Sequence, residues 1–238
     1  MAEFSSTGDQ MLAVLGAISR SGPVTTTGVA AALGINRTVA HRLISTLHRR
    51  AYLRRMPEGY VVGPMIVRLA RSVEPDLRRV AMPVMTRLVD ETEETVVLHS
   101  IDGYEAVVVD QAVSDRHLLR VQHQPGSRHP LGAGASGRAL LAFQAEHVIE
   151  RVLRAGADAA AVRRQLAQVH RDGFATSSNE LQPGVCGAAA PILGGDGIAH
   201  ASIAVLAPFD RAPRLAGHAT RLRVAANEIA AAFNASQS

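Results

Sequence analysis

The sequence predicts an α+β protein of two domains: a small, basic, mostly helical N-terminal domain, a connecting helix, and a larger domain whose strands are grouped before and after a set of helices. Three observations carry this. Apolar residues recur at helical spacing from about residue 9 to residue 50 and then give way to two short runs divided by a turn. Up to Ser72 nine arginines meet only Glu3, Asp9 and Glu58, whereas from Asp76 onward sixteen arginines meet seventeen acids. Beyond Thr95 the apolar runs become short and β-branched, stop for three helical patterns, and return. A chain of 238 residues is long enough to bury two cores.

Composition excludes several classes of function. All 25 basic residues are arginine, which removes a P-loop lysine, a Schiff-base lysine and a lysine general base. The single cysteine, Cys186, removes an internal disulfide framework and any cysteine-rich zinc site. No apolar run approaches the roughly 18 residues of a membrane helix, and "MAEFSSTGDQ" lacks the plan of a signal peptide, so a cytoplasmic protein without a membrane partner is expected.

The N-terminal elements follow from their punctuation. Asp9 is expected to cap a helix to about Arg20, carrying Leu12, Leu15 and Ile18, with Ser21-Gly22-Pro23 as its stop. Thr26 or Thr27 caps a second helix through Val29 and Leu33, and Gly34 suits its left-handed end. Asn36 caps a third. At 100° per residue Val39, Ala40, Leu43, Ile44 and Leu47 share one stripe of it, while Arg37, Thr38, His41, Arg42, Ser45 and His48 occupy the other side. "YLRRM", "PEG" and "YVV" then read as a hairpin. Three helices with a tight turn before the third and a two-stranded wing behind it form a winged helix-turn-helix, whose third helix enters the major groove. A basic polar face alone is usually just solvated. Turn spacing, cap, wing and the absence of acids from residues 34–55 together point to double-stranded DNA, with Arg54 and Arg55 at phosphates and Arg37, Thr38, His41 and Arg42 within reach of base edges. A helix from about Pro64 to Val73 follows, with Met65, Leu69 and either Ile66 or Val73 on one apolar face.

In the remainder, "TVVLHSI", "AVVVDQAV" and "LLRVQ" predict a meander of three strands. Helices are expected at about residues 135–143, 146–153 and 159–171, strands at "AAAPIL" and "HASIAVLA" around the turn "GGDG", and a last helix at about 212–235, giving a sheet with helices on one side. "GAGASG" satisfies G-x-G-x-x-G through Gly132, Gly134 and Gly137, but no buried strand leads into it and no acid-ended strand follows, which argues against a dinucleotide site. Two readings stay open for it: a turn packed closely on the sheet, or a helix start whose free N–H groups near Ala135, Ser136 and Gly137 receive a carboxylate. His117, His123 and His129, spaced by six, fit no usual metal site. Ser136 lacks a G-x-S-x-G elbow because Arg138 stands at its closing glycine, Cys186 has no base fixed beside it, and Glu180 and Asp110 would meet only by tertiary accident. No catalytic constellation, metal or cofactor is expected.

Four segments in order, "TTTGVAAALGINRTVAHRLISTLHRRAYL", "YVVGPMIVRLARSV", "HPLGAGASGRALLAF" and "NELQPGVCGAAAPI", resemble the IclR family of bacterial transcriptional regulators. The resemblance implies a winged helix-turn-helix in residues 1–63, a linker helix in 64–75 that pairs protomers into a homodimer or homotetramer, and a GAF-like effector-binding domain in 76–238. It places the effector pocket among Gly134, Ala135, Ser136, Gly137, Ser177, Cys186, Gly187, Ala204 and Leu206. Where relatives that bind small polar oxo-acids are expected to carry oxygen or sulfur, this chain has Gly187, Ala204 and Leu206. Fewer polar groups and more space imply a mainly apolar, aromatic carboxylic acid as effector. The competing reading is a small-molecule enzyme or ligand carrier with a vestigial winged helix.

Overall fold

The computed structural model describes residues 5–155 and 158–237. They form two compact units that part between Val73 and Glu74.

In the N-terminal unit, helix α1 (Ser6–Ser21) is capped by Ser5, whose hydroxyl accepts the Gly8 N–H. Asp9 therefore lies in the first turn, where its charge suits the helix dipole, and is not the cap. Helix α2 (Thr26–Leu33) is capped by Thr25, one residue before the expected threonines, and ends at Gly34 with φ 63°. Helix α3 (Arg37–Arg49) begins where the Asn36 side chain accepts the Thr38 N–H at 2.8 Å. Val14, Ile18, Val29, Leu43, Ile44 and Leu47 close the core between the three helices. Strands β1 (Leu53–Met56) and β2 (Gly59–Val62) form the antiparallel wing. The wing is anchored because Val24 bridges Tyr60, and at Gly59 (φ 148°) any Cβ would stand 2.6 Å from the Val24 carbonyl.

Helix α4 (Met65–Ala70) is shorter than the expected linker helix. The Ser72 hydroxyl donates back to the Leu69 carbonyl, and Glu74, standing before Pro75, adopts a left-handed φ of 43°.

The C-terminal unit opens with helix α5 (Pro75–Thr92), for which the sequence reading made no provision. Leu77, Ala81, Val84, Met85 and Leu88 carry its buried stripe, and Pro83 inside it obscures the pattern. Strands β3 (Thr95–Asp102), β4 (Glu105–Ala112), β5 (Arg128–Pro130), β6 (Ala175–Ser178), β7 (Val185–Leu193) and β8 (Ala199–Pro208) form one antiparallel sheet in the order β5-β4-β3-β8-β7-β6. "LLRVQ" is not a strand: Leu118 and Leu119 are exposed, and the third strand is the three-residue β5. An apolar run becomes a strand only where the chain brings it into register with a sheet edge, and composition does not report that.

Helices α6 (Gly134–Leu141), α7 (Glu146–Ala155) and α8 (Ala159–Asp172) stand where expected. The last helix is divided at His218 into α9 (Ala212–Gly217) and α10 (Ala219–Gln237). Helices cover both faces of the sheet, not one. Val96, Leu98, Ala188, Ala190, Ile203 and Val205 pack against α5 and α10, while Val97, Ala189, Ala204 and Leu206 share a cluster with α6, α7 and α8. The unbroken apolar runs of β7 and β8 are the mark of strands buried on both sides.

Candidate DNA-facing helix and effector pocket

On α3 the stripe Ala40, Leu43, Ile44 and Leu47 is buried, so the intervening residues must face outward. Arg37, Thr38, His41 and Arg42 are all exposed, as are Arg54 and Arg55 on the wing strand β1. None of these four arginines is ion-paired among the described residues, and α3 contains no acid. The result is one polar helix face with a flanking pair of arginines, all free to meet phosphate oxygens and base edges.

In the C-terminal unit, Ala135, Ser136, Ser177, Gly187 and Leu206 line one small cavity together with His123, Glu180, Leu181 and Gln182. Gly187 has a packing reason: a Cβ there would stand 3.1 Å from Leu206 and 3.3 Å from the Ser177 hydroxyl. Cys186 does not belong to this group. Side chains alternate along a strand, so Ser177 and Gly187, paired across β6 and β7, face α6, whereas Cys186 packs in the cluster on the other face and donates toward the Ser178 hydroxyl at 3.3 Å. Ala204 is fully buried in the core beneath and does not line the cavity. Gly137 serves close packing, since a Cβ would come within 2.7 Å of the Leu131 carbonyl. The expected room is also missing. The cavity holds about 20 Å³, space for a water and not for an organic ligand. A larger one of about 600 Å³ adjoins it across His123, Leu181 and Gln182.

The start of α6 already meets a carboxylate, and it belongs to the chain. Glu180 accepts the Gly134 N–H at 3.0 Å and two bonds from Arg138, at 2.6 and 2.8 Å, while Arg138 also donates to the Thr176 carbonyl. Arg138 is 2% exposed. Burial pushes the Glu180 carboxyl up, but the hydrogen bonds from Arg138 and Gly134 and the charge of Arg138 outweigh it and hold the group below its ordinary range. The N–H groups of Ala135 and Ser136 have no hydrogen-bond partner among the described residues.

Beside them, His129 Nδ1 lies 3.2 Å from the Pro130 carbonyl and Nε2 lies 3.1 Å from the Ser136 hydroxyl. A carbonyl can only accept, so Nδ1 carries the proton, and in the neutral ring Nε2 accepts the Ser136 O–H. Burial holds His129 below the usual histidine range, against the Pro130 and Ala133 carbonyls. His123 is lowered by burial and by His129, and the fully buried His99, 5.6 Å from the His129 ring, lies well below the range for the same reasons. These histidines form no metal site: among the described residues no group of three or more histidine, cysteine or acidic side chains could hold an ion. Arg138, Glu180 and His129 are the site residues that sequence reasoning missed. Arg138 and Glu180 act through each other across 42 positions, and His129 acts through Ser136 across the turn into α6.

A sequence model described as "IclR helix-turn-helix domain" matches residues 9–57, and one described as "Bacterial transcriptional regulator IclR C-terminal" matches residues 71–231. The chain is 32% identical over 190 residues to the HTH-type transcriptional regulator Rv1719 of Mycobacterium tuberculosis, covering 75% of this chain and 73% of the relative. It is 30% identical over 214 residues to the HTH-type transcriptional regulator BhcR of Paracoccus denitrificans, covering 84% and 76%. An IclR homologue from Microbacterium hydrocarbonoxydans, crystallised with 4-hydroxybenzoate, has the same fold at TM-score 0.79 and 23% identity, covering 97% of this chain and all of that one.

Proposed function

The chain belongs to the IclR family of bacterial transcriptional regulators, and from that premise we propose that it binds a partly palindromic operator as a homodimer or homotetramer in the cytoplasm, under the control of an aromatic carboxylic acid. The observation that carries the DNA half is the exposed face Arg37, Thr38, His41 and Arg42 on a helix whose opposite face is core, flanked by Arg54 and Arg55. With half-sites about 34 Å or a multiple apart, each α3 of a dimer reads one major groove. About four phosphate contacts per protomer give a slope of log affinity against log salt near −7. Gel shifts with the chain's own upstream DNA across a salt series check this, and a flat salt response defeats it. Arg42→Ala should weaken all DNA alike if Arg42 holds a phosphate, and relax preference at one base pair if it reads an edge.

Pairing is assigned to α4 and the residues after it. Leu69 and Val73 are 42% and 51% exposed, apolar surface that a second protomer would cover. Leu69→Glu should yield monomers that keep effector affinity and lose operator affinity; unchanged mass in light scattering counts against this helix.

For the effector, the N–H groups of Ala135 and Ser136 receive the carboxylate, and the adjoining cavity of about 600 Å³ takes the body once Leu181 and Gln182 yield. What supports an aromatic acid is 4-hydroxybenzoate in the Microbacterium homologue, together with the apolar positions Gly187 and Leu206; the larger cavity itself is bordered by Gln122, His123, Gln124, His129 and Gln182, which suits a ring that carries a polar group. Leu206 walls the small cavity that holds the carboxylate. The Ser136–His129 hydrogen bond is the observation that favours an enzyme. Ser136 is 5% exposed, and Nδ1 of His129 is spent on the Pro130 carbonyl and not on a carboxylate, so the pair is assigned to ligand positioning and the protein to regulation without catalysis.

A further inference from the structure

A second cavity of about 610 Å³, within the range of small-molecule sites, lies in the C-terminal unit between the β4–β5 edge and helices α7 and α8. Among the described residues it shares no lining residue with the small cavity at Ser136 and only Pro130 with the cavity of about 600 Å³ beside it. Val152, Leu153 and Val162 supply apolar walls, and Gly132 keeps one side open, since a Cβ there would press to 3.3 Å on Val152. Three charged residues border the space, and two are engaged. Glu105 is held by Arg128 at 2.8 Å, and Asp158 caps α8 through the Ala161 N–H at 2.8 Å. Arg151 makes no ion pair among the described residues; its guanidinium lies 6.0 Å over the ring of Tyr104. Asp158 keeps its negative charge at the α8 end, but Arg151 is the one bordering cation among the described residues, and it lies beside an aromatic face above an apolar floor.

We propose that this cavity is a second ligand site, distinct from the effector pocket, for an amphipathic carboxylic acid whose carboxylate meets Arg151 and whose unhydroxylated body lies along Tyr104, Val152 and Val162. Arginine offers a planar fork to a carboxylate, and the walls offer a polar body no partners.

The test uses the full chain and 4-phenylbutyrate in equilibrium dialysis. With the effector pocket blocked by Leu206→Asp, or by the milder Gly187→Ala should the first variant melt early, one saturable probe per chain should remain. In either background Arg151→Gln should weaken it at least about tenfold, Val162→Trp should fill the space and abolish it, and the neutral 4-phenylbutyramide should bind at least about tenfold more weakly than the acid. Binding unchanged by both Arg151→Gln and Val162→Trp, equal binding of the amide, or loss of all probe on blocking the effector pocket would each overturn the proposal.

Discussion

Replacing Glu180 by alanine is expected to destabilise the C-terminal unit by about 3 kcal/mol, because it strands the Arg138 guanidinium at 2% exposure with only the Thr176 carbonyl for a partner. In a thermal melt that is a fall of roughly 6–12 °C for a unit of this size. The loss should be repaired by taking the partner away as well: Arg138→Leu with Glu180→Leu removes both charges, and such double replacement is often near neutral. The pH dependence carries its own sign. Glu180 titrates below its unfolded value, so its contribution is complete above the ordinary carboxyl range and is lost as pH falls through the lowered folded value. The gap between the native chain and Glu180→Ala should therefore narrow only on acidification below about pH 5. Equal melting temperatures at neutral pH would show that the pair contributes nothing to the fold.

Leu206→Asp is expected to weaken the effector at least about 100-fold while leaving operator affinity intact. Leu206 is 7% exposed beside Ser177, Gly187 and the first turn of α6, so an aspartate there sets a second negative charge against the ligand's carboxylate and removes the apolar wall of the small cavity that holds it. The residues proposed to face DNA lie in the other compact unit, which is why operator binding should survive. Gly187→Ala is the gentler control, narrowing the same space by a methyl group 3.1 Å from Leu206. Isothermal calorimetry with a panel of aromatic acids and small oxo-acids reads both variants. Tight binding of glyoxylate or pyruvate by the unaltered protein, with no response to aromatic acids, would show the assignment of the ligand class to be wrong.

The N-terminal unit was legible because its signals are local. The Asn36 cap, the left-handed Gly34 and the i, i+3, i+4 stripe of α3 each involve residues within a turn or two of one another, and the exposed face of Arg37, Thr38, His41 and Arg42 follows from the same periodicity. Where the reading slipped there, at Asp9 and Thr26, it slipped by a few residues along the same helix. In the C-terminal unit the order of α6, α7 and α8 and the hairpin of β7 and β8 were equally local.

What depended on partners distant in the chain was decided only by the tertiary structure. The strand period of two separates Cys186 from Ser177 and Gly187, but the register of β6 on β7 had to be known before the faces could be named. "LLRVQ" has the composition of a strand but pairs with none, and the short β5 pairs with β4 in its stead. Arg138 and Glu180, 42 positions apart, and His129 and Ser136, joined across the turn into α6, show nothing in their own neighbourhoods that announces a bond. Sequence by itself determined α1 to α3 and α6 to α8, though not α5, together with which residues of α3 look outward and, through four motifs in order, the family. Folding determined that the carboxylate at the start of α6 is the chain's own Glu180 and that helices cover both faces of the sheet, because the energy of a buried charge or a buried face depends on what long-range packing places against it.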